Sequence, residues 1–185
     1  MTRHSAARPR RGVFPGSFDP PTIAHIAIAR AALVQCACDS ITFVLSVGAL
    51  GKHDRDATVG YRHAALTALF VNDDRFRVAT TSARLIAEIA EGFDVVVVGA
   101  DKWDQVNDPV WYDDGEIGRD RALGALPHVA VVPRPPIAAP PSRPQLVRML
   151  TILDLDDAAT LAEVSSTGAR ADRHDWIARG PATGQ

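Results

Sequence analysis

Three stretches of the chain are apolar at nearly every position: residues 41–47 (Ile41-Thr42-Phe43-Val44-Leu45-Ser46-Val47), 94–98 with four consecutive valines, and 128–132 (His128-Val129-Ala130-Val131-Val132). Runs of β-branched residues without polar alternation mark strands buried on both faces. A shorter apolar run, residues 12–15, predicts a first strand, and residues 76–79 predict another. Between strands the period lengthens. Ile26, Ala29, Leu33 and Ala37 recur at helical spacing from about Thr22 onward, and their small size lets that helix sit close to a sheet; Asp39 and Ser40 break it. Residues 59–70 predict a second helix with Tyr61, Ala65, Leu66, Leu69 and Phe70 inward. Residues 83–90 predict a short helix closed by Gly92, and residues 117–126 another. Residues 133–144 are too rich in proline for helix or central strand and are expected to form an ordered connection, followed by a short helix (145–150) and a strand (151–155). Alternating strands and helices give an α/β fold: an open, mainly parallel sheet with helices on both faces and a ligand site beyond the strands' carboxyl ends.

The first strand runs into Gly16-Ser17-Phe18-Asp19-Pro20-Pro21-Thr22-Ile23-Ala24-His25. A glycine turn at a helix N-terminus suits a phosphate, because unpaired backbone N–H groups converge there. Thr22 and His25 lie three apart and share one face of the first turn. Taken alone, they read equally as an N-cap threonine and a partly buried histidine. The valine strand ends in Gly99-Ala100-Asp101, where a carboxylate can accept from ribose hydroxyls, stand solvated or cap a helix. Trp103, Trp111 and Tyr112 follow closely; either tryptophan can stack on a heteroaromatic ring or pack a loop. The polar loop 48–58 carries Lys52, His53 and Arg55 and, by its residues alone, reads as solvated.

Composition narrows the classes. At 185 residues and 46% hydrophobic the chain suits one domain: residues 12–180, after a polar, arginine-rich extension at 1–11 expected to be disordered. A net charge of −2 gives no basic face for nucleic acid, and no run is long enough to span a bilayer. Cys36 and Cys38 form no metal pair without further ligands and read as small core residues of a reducing compartment. A cytoplasmic location, with no secretory signal, nucleic acid or membrane partner, is the expectation.

The string GSFDPPTIAH resembles the nucleotidyltransferase signature G-[ST]-F-D-P-x-[HT]-x-G-H, with Ala24 in place of glycine. Residues Glu163 to Arg170, E-V-S-S-T-G-A-R, resemble that superfamily's I-S-S-T-x-I-R, with Ala169 in place of isoleucine, and Gly99-x-Asp101 resembles a further motif. Within the superfamily, G-A-D, a tryptophan about ten residues on, and a strand ending V-x-R-P at Arg134 resemble the nicotinate or nicotinamide mononucleotide adenylyltransferases. Their usual S-Y-T-x-D-T-L is replaced here by Thr81-Ser82-Ala83-Arg84-Leu85-Ile86.

The resemblance implies a Rossmann-like fold and transfer of AMP from ATP to a small phosphate-bearing acceptor. It implies catalytic roles for His25 and Thr22 as donors to the transferring phosphoryl group. Gly16, Ser17, Phe18, Asp19, Gly99, Asp101, Arg134, Ser165, Ser166, Thr167 and Arg170 would bind the nucleotide, and Lys52, Trp103 and Trp111 the acceptor. Mg²⁺ would be held mainly by ATP oxygens, with no protein metal site. An acceptor that is already a phosphate needs no enzymic nucleophile, and the chain shows no Ser/His/Asp or Cys/His constellation. Phosphopantetheine, whose enzymes share P-G-S-F-D-P-x-T, a cytidylyl acceptor, and a non-catalytic nucleotide-binding relative are the alternatives.

Overall fold

The computed structural model describes residues 8–47, 58–133 and 147–180. Six strands form one sheet in the order β3-β2-β1-β4-β5-β6. They are β1 (Arg11–Gly16), β2 (Ser40–Ser46), β3 (Phe76–Thr81), β4 (Val95–Gly99), β5 (His128–Val132) and β6 (Leu150–Ile152). Every neighbouring pair is parallel, so the expected mainly parallel sheet is parallel throughout. The described helices are α1 (Ile23–Gln35), α2 (Val59–Leu69), α3 (Ile86–Ile89), α4 (Ala100–Asn107), α5 (Gly115–Ala125), α6 (Ala158–Ala162) and α7 (Ser166–Ala171).

Strand alternation divides the core into two layers. Val13, Val44, Val96, Val98, Val129 and Val131 face Ile89, Trp103, Val106 and Leu123, contributed by α3, α4 and α5. Phe14, Phe43, Leu45, Val95, Val97, Ala130 and Val132 face Ala29, Leu33 and Leu66 of α1 and α2. The valines of β4 are each 2% exposed or less, and each contributes about 1.5–3 kcal/mol by burial. From β1 the chain works outward to β3; it then returns to the centre at β4 and works outward the other way. The order therefore reverses between β1 and β4, whose registered pairing comprises only Gly12 with Val95 and Val13 with Val96. Beyond those residues the strands lead into the crevice where open α/β sheets take their ligands.

Several expectations shift. Ahead of β1, the Arg10 N–H donates to Asp39, the Asp39 N–H returns a bond to the Arg10 carbonyl, and Arg8 pairs with Asp94. The inward face of α2 carries Arg62 and Leu66, while Tyr61, expected inside, is exposed. A helix not expected from the sequence, α4, begins directly after Gly99. Leu150 belongs to β6 and not to a helix, and β6 ends at Ile152. Cys36 and Cys38 are free and buried, and loss of hydration pushes both thiols up, Cys38 to about 11.

Candidate active site

A cleft of about 440 Å³ lies beyond the carboxyl ends of the strands. One lip carries His25 and Ile28 of α1 with Ala158, Ser165, Ser166 and Thr167; the other carries Arg84, Ile86 and Ile89 with Lys102, Gln105 and Trp111. Pro15, Gly16, Ser17, Phe18 and Gly99 form its floor, so the first motif, the Gly-x-Asp turn and the second motif meet in one space.

The motif loop is held from behind. Phe18 adopts φ 48°, a left-handed conformation uncommon for a non-glycine residue. Its buried ring anchors that conformation edge-on to Phe14, Phe43 and His25, with centroids 5.4, 5.2 and 5.0 Å away. A Cβ at position 16 would lie 2.5 Å from that ring, which is why glycine stands there. The loop's carbonyls are gripped by groups distant in sequence. Arg62 donates to the Ser17 carbonyl and Arg170 to the Asp19 carbonyl. The Ser166 hydroxyl donates to the Pro20 carbonyl at 2.8 Å, and the Ala178 N–H to the Pro21 carbonyl at 3.0 Å. In a trans peptide the C=O and the following N–H point oppositely, so the Arg62 grip also sets the direction of the Phe18 N–H.

Thr22, fully buried, caps α1 in extended conformation. Its backbone N–H donates to His25 Nδ1 at 3.0 Å, and its hydroxyl lies 2.8 Å from the same nitrogen. A backbone N–H can only donate, so Nδ1 is the acceptor and the neutral ring carries its proton on Nε2. Thr22 was expected to reach the cleft beside His25. It does not, because both its polar groups turn onto the imidazole. Ala24 lines the cleft, its methyl group standing where the resemblance has glycine.

In the second motif, Ser165 caps α7, its hydroxyl accepting from the Gly168 N–H at 3.1 Å. Ser165, Ser166 and Thr167 line the cleft, whereas Arg170 turns onto the Asp19 carbonyl and does not. Asp19 is likewise buried behind the loop. Gly99 and Asp101 both line the cleft; a Cβ at position 99 would lie 2.9 Å from Asp101 Oδ1, so the carboxylate folds back over a bare backbone. The two tryptophans part company. Trp111, 36% exposed, lines the cleft, with Tyr112 beside it donating to the Val106 carbonyl at 2.8 Å. Trp103 was expected at the rim and is instead in the core, 2% exposed, because it shares the inner face of α4 with Ala100 and Val106. Lys52 and Arg134 lie outside the described residues.

Two supports were not legible from motifs. Arg62 is one, although Val59, Arg62, Leu66 and Leu69 do form a helical stripe that draws an arginine inward. The other is the C-terminal segment. Ile177 bridges antiparallel to Thr22, and Trp176 packs on Gly168, where a Cβ would lie 2.6 Å from the indole. Arg173 stacks 4.1 Å above that indole.

No curated protein matches the chain by sequence. Among solved structures, the Plasmodium falciparum nicotinic acid mononucleotide adenylyltransferase is similar in fold, both complexed with APC and complexed with NaAD. In each comparison the TM-score is 0.63 at 14% identity, over 88% of this chain and 83% of that one. At that identity the likeness is one of fold. The cytidylyltransferase-like family model matches residues 13–172, from within β1 to just beyond α7, and so takes in all three motif segments around the cleft. The chain belongs to the cytidylyltransferase-like family and is a nucleotidyltransferase.

Proposed function

We propose that the protein transfers AMP from ATP to a pyridine mononucleotide, nicotinate or nicotinamide mononucleotide, and releases pyrophosphate. The observation that carries this reading is the meeting of His25 with Ser165, Ser166 and Thr167 on one lip of a single cleft, across from Trp111. The acceptor's phosphate has a second pKa of about 6 and is largely ionised at neutral pH, so it attacks the α-phosphorus without a protein base. What the chain supplies is alignment and charge stabilisation. His25 donates its Nε2 proton to the transferring phosphoryl oxygens, in the orientation that Thr22 sets. Thr167 and the N–H groups at the start of α7 take the outer phosphates, the Ser166 hydroxyl being engaged on the Pro20 carbonyl. Asp101 accepts from ribose hydroxyls, and Trp111 stacks on the acceptor's ring. Arg170 acts one step back, fixing the motif loop.

Among the described residues no group of three His, Cys, Asp or Glu side chains could hold a metal ion. Mg²⁺, bound mainly through the substrate phosphates, is the expected companion of ATP. When bound it would neutralise charge on the departing pyrophosphate. The test is pyrophosphate release with ATP or CTP against nicotinate mononucleotide, nicotinamide mononucleotide, phosphopantetheine and a cytidylyl acceptor. Release with ATP and a pyridine mononucleotide is expected. Release only with phosphopantetheine or a cytidylyl acceptor would overturn the acceptor, and release with none would overturn catalysis by this site.

A further inference from the structure

We infer that Arg84 reads the charge at the far end of the acceptor and selects a carboxylate-bearing acceptor over its neutral carboxamide. This deepens the adenylyl-transfer reading above and rests on it. Arg84 lies between β3 and α3, in the segment where the chain departs from S-Y-T-x-D-T-L, and it lines the cleft. The loop that carries it is fixed: the Ser46 hydroxyl donates to the Ala83 carbonyl at 3.0 Å. Glu88 accepts the backbone N–H groups of Arg84 and Leu85 at 3.2 and 3.1 Å.

Location decides which end of the acceptor Arg84 meets. Ile86 and Ile89 pack with Val13, Val96 and Trp103 on one face of the sheet, whereas α1, which carries His25, packs on the other. The reacting phosphate must lie on the His25 lip. A cation on the opposite lip therefore meets the part of the acceptor farthest from the reaction, beyond the ring that Trp111 would cover. In a nicotinate mononucleotide that part bears the carboxylate.

The charge is available there. Arg84 and Lys102 are the two Arg or Lys side chains that line the cleft among the described residues. The Lys102 ammonium donates to Gln105 Oε1. The Arg84 guanidinium makes no hydrogen bond or ion pair with the described residues; its backbone N–H alone is engaged. Leu85, Ile86, Ile89 and Val106 line the same cleft; Arg84 is exposed, so it is a ligand covering it that would thin the surrounding water and strengthen the charge pair. A guanidinium fork matches a carboxylate with two parallel hydrogen bonds. A carboxamide offers one acceptor, and its N–H groups would meet further donors.

Arg84→Gln and Arg84→Lys test this by steady-state kinetics with the acid and the amide mononucleotide at saturating ATP. The wild-type enzyme should prefer the acid. In Arg84→Gln, kcat/KM for the acid should fall about 10- to 100-fold, the range for losing a hydrogen-bonded charge partner. That for the amide should fall less than about threefold, so the preference collapses. Arg84→Lys should keep part of the preference, and the KM for ATP should hold in both variants. Equal losses on acid and amide, no loss on either, or a wild-type preference for the amide would each overturn the inference while leaving adenylyl transfer standing. A wild-type enzyme that turns over neither mononucleotide would overturn the acceptor reading, and this inference with it.

Discussion

Thr22 and His25 are legible in the sequence as a pair, and what the structure changes is the direction in which each acts. Two contacts from Thr22 meet at Nδ1 of His25, so the threonine is engaged in orienting the imidazole. His25→Ala is expected to lower kcat by several hundredfold, about 3–4 kcal/mol of transition-state stabilisation, as for loss of one preorganised donor. Thr22→Val removes the hydroxyl contact and keeps the N–H, so its cost should stay near 1 kcal/mol, about fivefold in kcat. A single-turnover assay at saturating ATP checks both. If the two variants lost equally, or if His25→Ala kept near-normal turnover, the imidazole would be structural. The motif spacing could not reveal Thr22's orientation, because it depends on the extended N-cap backbone that turns both polar groups onto the ring. Trp103 and Trp111 teach the same lesson. Their density suggested stacking, but the run Ala100, Trp103, Val106 already had the spacing of one helical face.

At the scale of elements, the strands were readable because uninterrupted apolar runs belong to few environments. The C-terminal segment was not, because its hold on the site is one bridge, one hydrogen bond and one indole, none of which leaves a periodic trace. That segment leaves α7, places Trp176 against Gly168, pairs Ile177 with Thr22, and brings Gly180 close to the Ala68 carbonyl of α2. It therefore ties the two motif segments to one another and to the helix that supplies Arg62. Trp176→Ala should let α7 drift from the motif loop without touching the opposite lip. The expected effect is a fall in kcat/KM for ATP of about 10- to 100-fold, the scale of a small misplacement of positioning groups. The KM for the acceptor should hold, and amide exchange should quicken at Ser166 to Ala171. Loss confined to the acceptor, or unaltered exchange in α7, would show that the indole only packs.

For the molecule as a whole, sheet type and the position of the cleft followed from the sequence, whereas the ties across the strands' amino ends did not. His128 opens β5 and joins three segments there: Arg10 Nη2 lies 2.9 Å from its Nδ1, and Thr151 Oγ1 of β6 lies 2.7 Å from its Nε2. Arginine can only donate, so Nδ1 accepts and Nε2–H donates to Thr151. Burial, and then the Arg10 charge, hold its pKa below the ordinary 6.5. Protonating Nδ1 would set a second donor and a second positive charge against the guanidinium. The sign follows from proton counting. Between the folded pKa and 6.5 the unfolded chain binds more protons at this residue, so stability rises with pH through that window. His128's contribution is thus full above 6.5 and is lost as pH falls below it. Asp94, where Arg11 N–H and Arg8 hold the carboxylate below its ordinary 3.8, acts only at more acid pH and does not overlap. Urea midpoints measured from about pH 7.5 down to about pH 5 should therefore decline for the wild type and decline less for His128→Gln, which can still accept from Arg10 and donate to Thr151. Parallel slopes for the two proteins would exclude His128 as the group responsible, and a steeper slope in the variant would reverse the sign of its contribution.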